Sequence, residues 1–263
     1  MRQPRRERRN AMLRLLAAGL ALAVCGCSRT GAAAQRHDVR EIIRQAADVL
    51  AAAGTSQAAT AMQMASGGTR ITLHGEGGFD YGRRLGELRI TLPEGRPVTE
   101  LFVPGELYMK NRGAGVPPDK WVQVDVTTLA DGNLVTGGAT DPITAAELLR
   151  GVAHAADLGE SEVNGERLRH YRGVTDIAAA AELATGEWRE QLAVAVGGFT
   201  ERDVPFDAYF DERGLLREVR HQFSFARGGE GVAVASTVTL YDFGAPVRVV
   251  LPEPAEVYAG AVA

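Results

Sequence analysis

Gly231-Val232-Ala233-Val234-Ala235-Ser236-Thr237-Val238-Thr239-Leu240-Tyr241 alternates with a period of two. Val232, Val234, Val238 and Leu240 fall on one face and Thr237, Thr239 and Tyr241 on the other, the pattern of a strand in a half-buried antiparallel sheet. Upstream, residues 205–211 and 215–226 read as two more strands. They are joined by Asp211-Glu212-Arg213-Gly214, a hairpin turn with glycine where a positive φ is needed.

The middle of the chain changes period. Asp141-Pro142 is an N-cap followed by proline at the first helical position, and Ile143, Ala146, Leu149 and Val152 supply the apolar stripe of a helix. A strand-like pair over 160–175 follows, then Ala-rich helical segments at 176–184 and 186–196, ended by Gly197-Gly198. The first third is again β. Residues 70–81, 83–92, 97–103, 106–111 and 121–125 read as short strands of a meander, broken at Gly77-Gly78, Pro93-Glu94-Gly95 and Pro104-Gly105. Ahead of them, Asp38-Val39-Arg40-Glu41 caps an amphipathic helix running to Gly54. The order helix, meander, helices, meander predicts an α+β domain, a single curved antiparallel sheet with helices packed on one face. No linker or repeat interrupts 38–250, so one domain is expected there. Proline-bearing residues 245–263, of which 251–263 form a C-terminal tail, read as extended covering or fraying.

The 263 residues, 45% hydrophobic and 24% charged, place the chain among globular proteins. A net charge of −4 argues against a nucleic-acid partner. The N-terminus carries Arg2, Arg5, Arg6, Arg8, Arg9 and Arg14, then the uncharged apolar run 15–24, then small residues. These are the parts of a secretory signal, over 1–26, and the apolar run is too short to span a bilayer. Both cysteines sit in Val24-Cys25-Gly26-Cys27, which resembles the lipobox of bacterial lipoproteins, with Cys27 as the lipidated residue. Loss of residues 1–26 removes six arginines and one glutamate and takes the charge from −4 to −9. The expectation is an acidic domain held off the extracytoplasmic face of the cell membrane by an acyl anchor and a tether over 27–37.

Catalytic signatures are missing from the sequence. His37, His74, His154, His170 and His221 are scattered without metal-ligand spacing, and neither a Gly-x-Ser-x-Gly elbow nor a complete phosphate loop is present. Gly75-Glu76-Gly77-Gly78 reads as a strand break, His170 as a polar strand residue, and Asp207 and Asp211 as solvated strand edges. No enzyme activity, metal or cofactor is expected.

Four segments carry a resemblance to a known family: Tyr108-Met109-Lys110 with Trp121-Val122-Gln123-Val124-Asp125; Asp141-Pro142 with Leu148-Leu149; Gly165 to His170-Tyr171-Arg172-Gly173; and Tyr209-Phe210-Asp211-Glu212-Arg213-Gly214-Leu215. With the lipobox, they resemble the LolA-like lipoproteins of actinobacteria, the LppX, LprA, LprF and LprG group. The resemblance implies a half-barrel sheet whose concave face, with its helices, encloses acyl chains of a lipid or glycolipid. Candidate lining residues are Leu101, Val103, Leu107 and Met109 on strands and Ile143, Leu149 and Val152 on a helix. Trp121 and Tyr209 are expected to fill core between sheet and helices. The alternative is an envelope interaction or sensor lipoprotein with the same fold fully packed, its protein partner unspecified.

Overall fold

The computed structural model describes residues 39–93, 96–227 and 230–260, which belong to a compact unit, Asp38–Ala263. Cys27, the signal segment 1–26 and the tether 27–37 lie outside the described residues. No helix among the described residues is long and apolar enough to cross a membrane.

Eleven strands form one antiparallel sheet. The chain enters through helical residues 39–44 (α1) and Ala46–Ala52 (α2). The first meander is β1 (Thr55–Ser66), β2 (Thr69–Asp80), β3 (Leu85–Thr91), β4 (Val98–Val103), β5 (Glu106–Lys110) and β6 (Trp121–Asp125). A crossover over 126–151 holds α3 (Pro142–Leu148) between two short 3-10 turns. The second meander is β7 (Val152–Val163), β8 (Glu166–Asp176), β9 (Asp203–Phe210), β10 (Leu216–Arg227) and β11 (Glu230–Tyr241), with α4 (Ile177–Leu183) and α5 (Trp188–Gly198) between β8 and β9.

The spatial order is β6-β5-β4-β3-β2-β1-β11-β10-β9-β8-β7. Strands β1 and β11 pair directly, Ala58 opposite Leu240 and Thr60 opposite Val238, so the first and last strands join the two meanders. Strands β6 and β7 therefore become the two edges, and the crossover between them must traverse a face of the sheet. Ten inter-strand spacings would make a flat sheet about 48 Å wide. Yet Val122 on β6 and Tyr171 on β8 belong to one apolar core with Val39, Leu50 and Leu149, so the sheet curls around its helices. Glycine permits the curl. Gly77 and Gly86 lie on the inner face, where a Cβ on Gly77 would collide with the Glu87 backbone and one on Gly86 with the Phe79 ring. The expected break at Gly77-Gly78 is accordingly corrected: β2 runs through both glycines, Gly77 where the β3 backbone comes close and Gly78 where Val247 of the C-terminal segment packs.

Capping explains why the crossover turns helical where it does. The Asp141 carboxylate accepts from the N–H groups of Ile143 and Thr144, both at 2.9 Å, with Pro142 at the first helical position. The expected helix through Val152 ends earlier. Leu149–Gly151 tightens to a 3-10 turn and Val152 opens β7, so the strand pair expected at 160–175 starts eight residues sooner. Arg150 then binds Asp48 of α2 at 2.6 Å and the buried Glu147 at 2.7 Å, tying the entry helix to the crossover.

The C-terminal segment covers the outer face of the first meander. Val249 is buried with Leu85 and Leu101, and Val247 packs against the same cluster. Farther on, Val257 forms a parallel bridge with Trp121, and the Tyr258 N–H donates to the Trp121 carbonyl at 2.8 Å, which occupies the edge of β6. Trp121 therefore sits on the outer face under this strap, with Lys110 over its ring, and not between sheet and helices. Tyr209 also faces outward, stacked on His170 at 4.3 Å between centroids.

Val249→Asp places a carboxylate between Leu85 and Leu101 and is expected to lower the unfolding free energy by about 2 kcal/mol or more. The same change at the neighbouring, exposed Val250 should stay within about 0.5 kcal/mol. Urea midpoints of the two variants check this.

Candidate functional site

Inner-face residues alternate along each central strand: Ala58, Thr60, Met62 and Met64 on β1; Val234, Ser236, Val238 and Leu240 on β11; Val219, His221, Phe223 and Phe225 on β10. Three polar members are buried: Ser236 and His221 lie opposite each other in a row across β11 and β10, and Thr60 lies two residues off it, opposite Val238. The Ser236 hydroxyl donates to Thr140 Oγ1 at 2.9 Å, and Thr140 donates to the Leu134 carbonyl at 2.9 Å. These bonds satisfy buried hydroxyls and hold the crossover at a set height above the sheet.

Beyond that row the covering thins. Met64 and Leu73 near one end of β1 and β2, and Phe225 and Val232 near the matching ends of β10 and β11, continue the apolar face past α3. Crossover residues Val135 and Gly138 close over them, with Gly198 at the end of α5 and Arg112 beyond β5, and leave a pocket of about 310 Å³. Asp131 shapes the loop. Its carboxylate accepts from the N–H groups of Val135 at 2.7 Å and Thr136 at 2.5 Å and from the Thr136 hydroxyl at 2.8 Å. Glycine is required where the loop runs close to α5: Gly132 has φ +54°, and a Cβ there would strike the Gln191 carbonyl. The Gln191 side chain in turn donates to the Gly132 carbonyl at 2.7 Å.

Two buried titratable groups lie under this covering. Glu100 on β4 is fully buried, and neither carboxyl oxygen has a hydrogen-bond partner. Burial pushes its pKa up to about 8, against the pull of the nearby Arg112 charge. His221 is buried beside Phe206 and Phe223 with an unpartnered Nε2, and burial pushes its pKa down to about 3.

The seven residues proposed as lining from the sequence divide between the two faces. Leu107, Met109, Leu149 and Val152 are buried in the main core, with Ile143 packed against it. Leu101 and Val103 point to the outer face, under the C-terminal strap. None of the seven borders the 310 Å³ pocket. Ile143 and Val103 instead border a crevice of about 30 Å³ near Trp188, at the other end of β4. The pocket residues escape a sequence reading because they come from hairpin ends and an aperiodic loop. The one usable signal is that the alternation Met62, Met64 and Val232, Val234 continues to the tips of its strands.

The outer face of the second meander carries a polar cluster. His170 Nε2 lies 2.6 Å from Asp207, Arg172 donates to the same carboxylate at 2.8 Å, and Arg220 covers the Tyr209 ring. Burial alone would raise the Asp207 pKa, but the His170 and Arg172 bonds outweigh it and hold the carboxyl below its ordinary value. Asp207 is thus a paired, half-buried group and not a solvated strand edge, while Asp211 accepts from the Arg213 and Leu215 N–H groups in its turn. Among the described residues no group of three or more His, Cys, Asp or Glu is placed to hold a metal ion.

No protein-family model and no curated protein matches the chain. Its structure is similar to that of the lipoprotein LppX from Mycobacterium tuberculosis, at 14% identity and TM-score 0.48 over 81% of this chain and 98% of LppX. It is also similar to LprF from Mycobacterium bovis, at 13% identity and TM-score 0.39 over 83% of this chain and 97% of the other. A LolA superfamily protein from Nitrosomonas europaea matches at 14% identity and TM-score 0.36, over 77% and 93% of the two chains.

Glu100 and His221 give stability a defined pH profile. The contribution of protonated Glu100 is complete below pH 4.5 and is lost as pH rises through 8. That of neutral His221 is complete above 6.5 and is lost as pH falls toward 3. Each limb has a slope of up to about 1.4 kcal/mol per pH unit, and between 4.5 and 6.5 the two oppose each other. Urea unfolding across pH should show Glu100→Gln flattening the alkaline limb and His221→Phe flattening the acid limb.

Proposed function

We propose that this chain is a cell-envelope lipoprotein, attached to the membrane through Cys27, that binds or carries a lipid or another apolar ligand. The pocket bordered by Met64, Leu73, Val135, Phe225 and Val232 carries the reading, because it is an apolar recess between sheet and crossover in an otherwise packed core. Its volume of about 310 Å³ falls at the lower end of the ~300–1,000 Å³ usual for small-molecule sites. Binding there needs no covalent step. Burial of an apolar chain supplies about 0.8 kcal/mol per CH₂, and exchange with a membrane or a partner runs to equilibrium. The alternative, an envelope interaction protein with a ligand-free interior, draws on the close packing of Leu107, Met109, Leu149 and Val152.

Displacement of a fluorescent apolar probe by acyl lipids distinguishes the two. The carrier reading predicts saturable displacement and a bound lipid mass in native mass spectrometry. Val232→Trp, which fills the pocket from a half-buried position, should weaken probe binding at least tenfold without unfolding the domain. Absence of any displaceable probe would favour the interaction protein.

Anchoring is tested separately. Cys27→Ala should release the protein from the membrane fraction or leave the signal uncleaved, and Cys25→Ala should leave anchoring intact. Normal processing and membrane retention of Cys27→Ala would refute the attachment site.

A further inference from the structure

Arg112 is the basic residue that borders the pocket. Asn111, left-handed at φ +62°, places it just beyond β5, and the Asn111 amide donates to the Pro97 carbonyl at 3.0 Å to fix the bend. The Arg112 guanidinium donates to the carbonyls of Thr136 at 2.9 Å and Gly137 at 3.4 Å, both in the crossover segment that roofs the pocket. It makes no ion pair among the described residues. Two of its five N–H donors are engaged and three remain.

Neither nearby carboxyl group forms an ion pair with that guanidinium. Asp131 borders the same pocket, but its oxygens accept the three hydrogen bonds that shape its own loop. Glu100 lies deeper, under Gly137, with no donor in reach. Its raised pKa keeps it largely protonated at neutral pH, so it does little to offset the guanidinium. The result is a cation, with donors to spare, beside an apolar wall of Met64, Leu73, Val135, Phe225 and Val232.

We infer that the ligand is a single-chain amphiphile with a carboxylate head, which Arg112 binds while the chain lies along the apolar wall. The charge assignment follows from complementarity: an anion beside Arg112 forms charge-assisted bonds that a neutral head cannot. The single chain follows from volume, since about 310 Å³ lies near the floor of ligand-site sizes. Arg112 is also the tie between head and roof, because an arriving carboxylate competes with the Thr136 and Gly137 carbonyls for the same guanidinium. This inference rests on the apolar-ligand reading above and adds the head group to it.

The test compares dodecanoate, dodecyl phosphate and dodecanol as competitors of one apolar probe on the full chain at pH 7.5. Wild type should bind dodecanoate at least tenfold more tightly than dodecanol. Arg112→Gln should lose that preference and bind the two alike, whatever the change in their absolute affinities. Arg112→Lys, which keeps the charge but not the fork, should retain part of the preference. Equal binding of dodecanoate and dodecanol by wild type, or a preference that survives in Arg112→Gln, overturns the inference while leaving the apolar-ligand reading standing. A tenfold preference for dodecyl phosphate over dodecanoate overturns the carboxylate assignment, and failure of all three to compete removes the underlying reading as well.

Discussion

The pairing of β1 with β11 is the constraint from which the rest of the architecture follows. Two meanders that ran side by side would leave four strand edges. Joining them through their first and last strands leaves β6 and β7 as the two outer edges, and the chain can pass from one to the other only across a face. The crossover and its helices therefore become the inner layer, and the sheet curls to bury them. On the other side, the end of β11 releases the chain at the middle of the sheet. From there the C-terminal segment crosses the outer face of β2 to β5 and ends along β6. Each half of the sheet consequently has a different environment: the first meander is covered on both faces, and the second has helices inside and a polar cluster of His170, Asp207, Arg172, Tyr209 and Arg220 outside.

This asymmetry explains what could be read from the residues alone. Strands β9 to β11 alternate because one face meets helices and the other is polar, as in Val232 to Tyr241, and their extent is legible, whereas β7 starts eight residues before the expected strand pair, at the end of the crossover. Val98-Thr99-Glu100-Leu101-Phe102-Val103 does not alternate, because the strap buries Leu101 outside while the inner layer buries Val98 and Phe102, and with them Glu100. Period two cannot assign faces to such a strand. A reading by period therefore groups Leu101 and Val103 with Leu107 and Met109, although their side chains leave the sheet in opposite directions. Trp121 and Tyr209 misled for the same reason: large aromatic residues read as core whichever face they cover. The glycines at 75, 77 and 78 read as punctuation, yet each makes room for a neighbour from another segment: the Thr60 and Ile90 side chains at Gly75, the Glu87 backbone at Gly77 and Val247 at Gly78.

The pocket lay beyond a sequence reading for a related reason. Residues 129–140 have neither a helical nor a strand period, and their position is imposed by side-chain bonds: Asp131 to its own loop, Thr140 to Ser236, Gln191 to Gly132, Arg112 to Thr136 and Gly137. Of these, only the bonds of Asp131 are local. The recess exists where this hydrogen-bonded roof crosses strand ends that continue their apolar face past the last helix. Unpartnered Glu100 and His221 beneath the layer carry an unfavourable desolvation of their charged forms, which couples stability to pH.

Covalent labelling by an acyl chain bearing a diazirine near its end, followed by peptide mapping, tests the location of the ligand most directly. The account predicts that label concentrates on peptides containing Met64, Leu73, Val135 and Phe225 and is displaced by unlabelled acyl chain. Label that falls instead on the outer-face segment around Leu101 and Val249, or that spreads without displacement, would contradict it.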